Sequence, residues 1–104
     1  MIKTFIVNIY YNSLIDQQAD VKAIKDEVIA IAGTNWRVVQ TGRQLCTLAF
    51  ATGKDPATFE QNFYHLGNEK VDVLLLEIAQ IHEGHVDKSV YQWFSGRLAQ
   101  GSGK

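Results

Sequence analysis

Residues 2–11 alternate along an extended chain, with Phe5, Val7 and Ile9 on one side and Ile6, Asn8 and Tyr10 on the other. Alternation with this content of β-branched and aromatic residues predicts a strand. Asn12-Ser13 interrupts it, and the polar stretch from Asp16 to Asp20 leads into a helix. There Val21, Ile24, Val28 and Ile31 recur at helical spacing while Lys22, Lys25 and Asp26 take the opposite side. Gly33 follows the last periodic residue and stops the helix. Trp36 to Gln40 predicts a second strand and Leu45 to Thr52 a third, joined through Thr41-Gly42-Arg43 with Gly42 able to take positive φ. Asp55-Pro56 opens a second helix, Asp as N-cap and Pro at the first helical position. Phe59, Phe63 and Leu66 give that helix its buried stripe, and Gly67-Asn68 ends it. Val71 to Ile78 is almost continuously apolar, the pattern of a strand buried on both faces.

The order is β-α-β-β-α-β, which predicts a ferredoxin-like two-layer α+β sandwich. Residues 1–100 are expected to form one domain, with no linker or internal repeat, and 101–104 a frayed tail. The last quarter exceeds the minimal fold. Gln80 to Val86 prolongs the fourth strand or forms a fifth, and Asp87 or Ser89 caps a terminal helix carrying Val90, Trp93, Phe94 and Leu98.

Helices in such a fold cover one sheet face only. If that face takes Phe5, Val7 and Ile9, then Cys46, Leu48 and Phe50, with Leu74, Leu76 and Ile78, are expected to complete the same core. The opposite face then carries Ile6, Tyr10, Leu45, Ala49, Val71, Val73 and Leu75, more contiguous apolar surface than a monomer usually shows. An isologous homodimer through these seven residues is the expected solution. The alternative is that the terminal helix, with Val90, Trp93 and Phe94, folds over the face within one chain.

Composition sharpens this picture only in part. The chain has 104 residues, 46% hydrophobic, and ten basic residues against eleven acidic, a net charge of -1. That size suffices for a self-supporting core, and the charge balance gives no broad footprint for nucleic acid or anionic membrane. Cys46 is the only cysteine, which leaves no intrachain disulfide. No apolar run reaches the roughly 20 residues of a membrane helix, and the N-terminus goes straight into alternating residues rather than a signal-peptide core. A cytoplasmic protein without a membrane partner is expected.

Few motifs carry chemistry. His82-Glu83-Gly84-His85 offers two imidazoles and a carboxylate, but zinc-protease spacing places histidines four apart on a helix, and an extended segment sends residues 82 and 85 to opposite faces. A polar turn is the expected role, with no metal or other cofactor. Gly101-Ser102-Gly103-Lys104 has the letters of a phosphate loop without the strand before it or the helix after it. Cys46 lies mid-strand with only Arg43 near it in sequence and reads as a small buried hydrophobe. The third strand offers Leu45, Thr47 and Ala49 where an RNA-recognition sheet places stacking aromatic residues. Lys3, Arg37, Arg43 and Lys70 remain as a local edge for phosphate contacts, with plain solvation as their ordinary role.

Several segments together resemble the small ferredoxin-fold family of CRISPR-associated adaptation nucleases, nearest to its stand-alone VapD/SinR-type relatives. They are Lys3-Thr4-Phe5-Ile6-Val7, the helix ending at Gly33, Thr34-Asn35-Trp36, Asp55-Pro56-Ala57-Thr58-Phe59, Val73-Leu74-Leu75-Leu76-Glu77 and Val90-Tyr91-Gln92-Trp93-Phe94. The resemblance implies a homodimer. In active members it also implies an Asp at the end of the first strand, holding Mg²⁺ or Mn²⁺ at the dimer interface. Here the matching stretch is Asn8-Ile9-Tyr10-Tyr11-Asn12, with Tyr10 where the Asp would stand and Asp16 several residues later. The expectation is a non-catalytic homodimeric module that binds protein or nucleic acid. The alternatives are a metal-dependent nuclease using Asp16 or the His82, Glu83, His85 group, and a small-ligand sensor dimer with its site between subunits.

Overall fold

A computed structural model describes residues 1–13, 16–78, 92, 93 and 96. Strand β1 is Lys3–Tyr11, helix α1 Gln18–Ala32, strand β2 Trp36–Thr41, strand β3 Leu45–Thr52, helix α2 Glu60–Leu66 and strand β4 Val71–Ile78. All neighbouring strands are antiparallel, in the order β2-β3-β1-β4. Both helices lie on one sheet face, where Val21, Ile24, Val28, Ile31, Phe59 and Phe63 pack against Phe5, Val7, Ile9, Cys46, Leu48 and Phe50. The fold is a ferredoxin-like α+β sandwich, as the pattern predicts. No helix among the described residues is long and apolar enough to cross a membrane.

The first helix ends as expected. Gly33 sits at φ 64° and its N–H donates to the Ile29 carbonyl at 2.8 Å. That backbone region is open to glycine and costly for other residues. Gly42 does not use the freedom a glycine has, because Gly33 alone among the described residues has positive φ. The β2–β3 turn is shaped from outside: the Tyr11 hydroxyl donates to the Gly42 carbonyl at 2.8 Å, and the Tyr11 N–H donates to Gln44 O at 3.1 Å. The second helix starts where predicted, with Asp55 Oδ1 accepting from Ala57 N at 3.0 Å. It opens as one 3-10 turn, Pro56–Thr58, and breaks at Phe59 before α2. Phe59 is buried edge-on to Phe5 and Phe50, with ring centroids 5.5 and 5.9 Å apart.

Two expectations about burial are overturned. The strand buried on both faces is β3, where residues Cys46 to Thr52 are all buried. β4 is an edge strand, paired with β1 alone among the described residues and largely half-buried or exposed. Its faces are also reversed. Tyr11 stands opposite Val71, Ile9 opposite Val73 and Val7 opposite Leu75, so these three β4 residues face the helices. Leu74, Leu76 and Ile78 lie on the open face instead. An apolar run without alternation cannot select its own register, and a one-residue shift exchanges the faces. Asp72 and Glu77 have opposite parity, so the charges offered no guide either. Register is set locally: Asn68 N donates to Val71 O at 2.9 Å, and Asn68 Oδ1 accepts from Lys70 N and Val71 N.

The expected strand at 80–86 lies outside the described residues, as do Asp87, Ser89, Val90, Phe94, Leu98 and the tail at 101–104. Gln92 and Trp93 are helical.

Two glycine substitutions should separate. Gly33→Ala is expected to lower unfolding free energy by about 1 kcal/mol in a denaturant titration. Gly42→Ala should stay within about 0.5 kcal/mol of wild type, since its added Cβ meets nothing nearer than Leu45 O at 3.9 Å.

Candidate functional site

The open face is built from alternate residues of three neighbouring strands: Ile6, Asn8 and Tyr10 of β1, Leu45, Thr47, Ala49 and Ala51 of β3, and Asp72, Leu74, Leu76 and Ile78 of β4. It divides into two halves. In one, Trp93 is 7% exposed and packs with Ala49 and Ala51, ringed by Ile2, Ile6, Val39 and Ile78. Two alanines in successive outward positions of β3 leave the depth an indole needs. Trp93 thus covers part of this face within the chain.

Thr47 and Asn8 stand opposite each other between the halves, with Thr47 Oγ1 donating to Asn8 Oδ1 at 2.8 Å. In the second half Tyr10 is 43% exposed, Leu74 47% and Leu76 44%. Leu45 lies directly beside Tyr10 on β3, and Asp72 directly beside it on β4.

This placement corrects the expected interface. Of its seven residues, only Tyr10 and Leu45 remain on the uncovered half. Ile6 and Ala49 belong to the Trp93 cluster, and Val71, Val73 and Leu75 face the helices. Leu74 and Leu76, expected in the core, take their place at the surface.

At the end of β1 the second half runs into a shallow concavity of about 440 Å³, lined by Tyr10, Tyr11, Asn12, Gln44, Leu45, Glu69, Lys70 and Asp72. It offers one exposed aromatic ring, two amide side chains, one cation and two carboxylates, a surface suited to polar contacts. Sequence reasoning missed Asp72, which register alone carries to within one strand of Tyr10. Asp16 is exposed in the turn before α1. His82, Glu83 and His85 lie outside the described residues. Among those described, no three His, Cys, Asp or Glu side chains are grouped to hold a metal ion.

The four cations expected on one edge are dispersed. Lys3 begins β1 and pairs with Glu77 at 3.7 Å. Lys70 lies just before β4, at the other end of β1, and nine strand residues separate the two ends by roughly 26 Å. Arg43 is in the β2–β3 turn, and Arg37 lies on β2 with Nη1 donating to Trp36 O at 2.7 Å. Cys46 is buried on the helix side, as expected of a structural thiol. Burial pushes its pKa up, against the lowering effects of Lys25 and a Thr41 hydrogen bond. A thiol held protonated and out of solvent is a poor nucleophile.

No family model, curated protein or solved structure matches the chain.

Trp93→Ala should remove about 3 kcal/mol of unfolding free energy, the cost of emptying a large buried site. Denaturant unfolding followed by far-ultraviolet dichroism measures it. In a Trp36→Phe background, Trp93 emission should be blue-shifted in the native state and move red on unfolding.

Proposed function

We propose that the chain is a non-catalytic, homodimeric module of ferredoxin-like fold that binds protein or nucleic acid. The observation that carries this reading is the strip of Tyr10, Leu74 and Leu76, three large apolar side chains left nearly half exposed on adjacent strands. Burying each leucine contributes about 1 kcal/mol, and a two-fold axis doubles every contact. The resemblance to dimeric VapD/SinR-type relatives agrees with self-association. Tyr10, standing where active members carry an Asp, argues against retained nuclease chemistry. The concavity beyond Tyr10 is then the surface offered to a partner, with Lys70 and the Asn12 and Gln44 amides as its polar contacts.

Sedimentation equilibrium of the whole chain tests the reading. Wild type should sediment as a dimer at micromolar concentration, and Leu74→Asp with Leu76→Asp as a monomer with an unchanged far-ultraviolet spectrum. A wild type that stays monomeric throughout rejects it.

One observation favours a second reading. Asp72 stands beside Tyr10 on the open face, so a carboxylate does reach the end of β1, from β4 rather than β1. A metal-dependent nuclease would use it through an oxygen ligand. The first reading predicts that labelled RNA and DNA survive incubation with Mg²⁺ or Mn²⁺. Cleavage that Asp72→Asn abolishes would establish the second.

A further inference from the structure

We infer that two copies of this chain join through their β4 edges, strand to antiparallel strand about a two-fold axis at Leu75, making one continuous eight-stranded sheet. The inference rests on the self-association proposed above and specifies its geometry.

The two edges of the sheet are not equivalent. β2 loses register between Val38 and Gln40 and presents an exposed Arg37, features that discourage pairing with another strand. β4 keeps unbroken register with β1 from Val71 to Ile78 and contains no proline, lysine or arginine. An eight-residue edge of this kind is a template for another strand.

Area argues the same way. At roughly 200 Å² for a large side chain, Tyr10, Leu74 and Leu76 together expose on the order of 300 Å². A stable interface takes about 800 Å² from each partner. Stacking the two open faces over Trp93-covered halves leaves that shortfall. Edge pairing adds the backbone of both strands and joins the leucines as well.

Facing selects the direction. In a parallel arrangement the axis would run along the strand and turn the second copy over, so Leu74 and Leu76 of the two copies would lie on opposite faces of the sheet. With the axis at Leu75, Asp72 meets Ile78, Glu77 meets Val73, and no like charges stand opposite. Leu74 then meets Leu76 of the second copy in two adjacent rows, gathering four leucines on the open face.

A charge exchange tests the register. Leu74→Lys with Leu76→Asp sets opposite charges across both rows, whereas Leu74→Lys with Leu76→Lys sets like charges. The first should dimerise about tenfold or more tightly than the second in sedimentation at low salt, and lose that advantage in high salt. Amide exchange of wild type should show every second β4 amide gaining protection as concentration rises. A dimeric wild type with no gain in β4 protection overturns edge pairing and leaves self-association standing. β4 protection with both double variants equally weak overturns the axis at Leu75. A monomeric wild type removes this inference and the reading beneath it together.

Discussion

Asn68 reaches forward to Val71 with both its backbone and its side chain, and this small turn sets the phase of the last strand. Because Val71 enters opposite Tyr11, the odd residues of β4 point to the helices and the even ones to the open face. Shifted by one residue, the strand would bury Leu74 and Leu76 and expose Val73 and Leu75. Hydrophobicity hardly distinguishes those alternatives, since both faces of the strand are apolar. The hydrogen bonds ahead of the strand do distinguish them, and the identity of every exposed side chain on the edge follows.

β3 supplies the complementary constraint. Buried on both sides, it packs Cys46, Leu48 and Phe50 beneath the helices and sets Ala49 and Ala51 beneath Trp93. The helix side is filled by aromatic stacking: Phe50 lies 5.2 Å from Phe5 and 6.0 Å from Phe63, centroid to centroid. The other side uses the opposite device, small residues under one large ring. Such pairing of small with large keeps both layers dense. It also exhausts the cover that Trp93 provides, because the Asn8–Thr47 hydrogen bond marks where the indole cluster gives way to the bare leucines.

Strand and helix identity were legible in the sequence wherever one period dominated. The alternation of residues 2–11 and the helical spacing of Val21, Ile24, Val28 and Ile31 each admit one reading, and both elements form as expected. Asp55-Pro56 and Gly33 punctuated the chain correctly, since capping and positive φ are local requirements. What failed was non-local. The turn at Gly42, open to positive φ, does not use it, and Tyr11, thirty-one residues earlier, binds that turn through its hydroxyl. The double burial expected for Val71 to Ile78 belongs to Cys46 to Thr52, because position within the sheet decides burial and composition does not report it. The candidate site inherited these errors: Tyr10 and Leu45 were placed correctly from unambiguous alternation, whereas the β4 residues were inverted. Asp72 went unnoticed because its importance arises only from standing beside Tyr10.

The dispersed cations bear on what a partner must be. With Lys3 engaged by Glu77 at one end of β1 and Lys70 at the other, the cations among the described residues form no continuous stripe along the sheet of the kind a phosphate backbone would require. Around Tyr10 the charges instead alternate over a short span, Glu69, Lys70 and Asp72 lying next to the Asn12 and Gln44 amides. A surface of mixed sign with one exposed aromatic ring discriminates by local hydrogen bonding rather than by summed field. It is therefore better matched to a protein segment, or to a few unstacked bases, than to the length of a duplex. Among the described residues nothing pairs with the outer edge of β4, and the concavity borders that edge, so a strand added there would also meet the polar concavity.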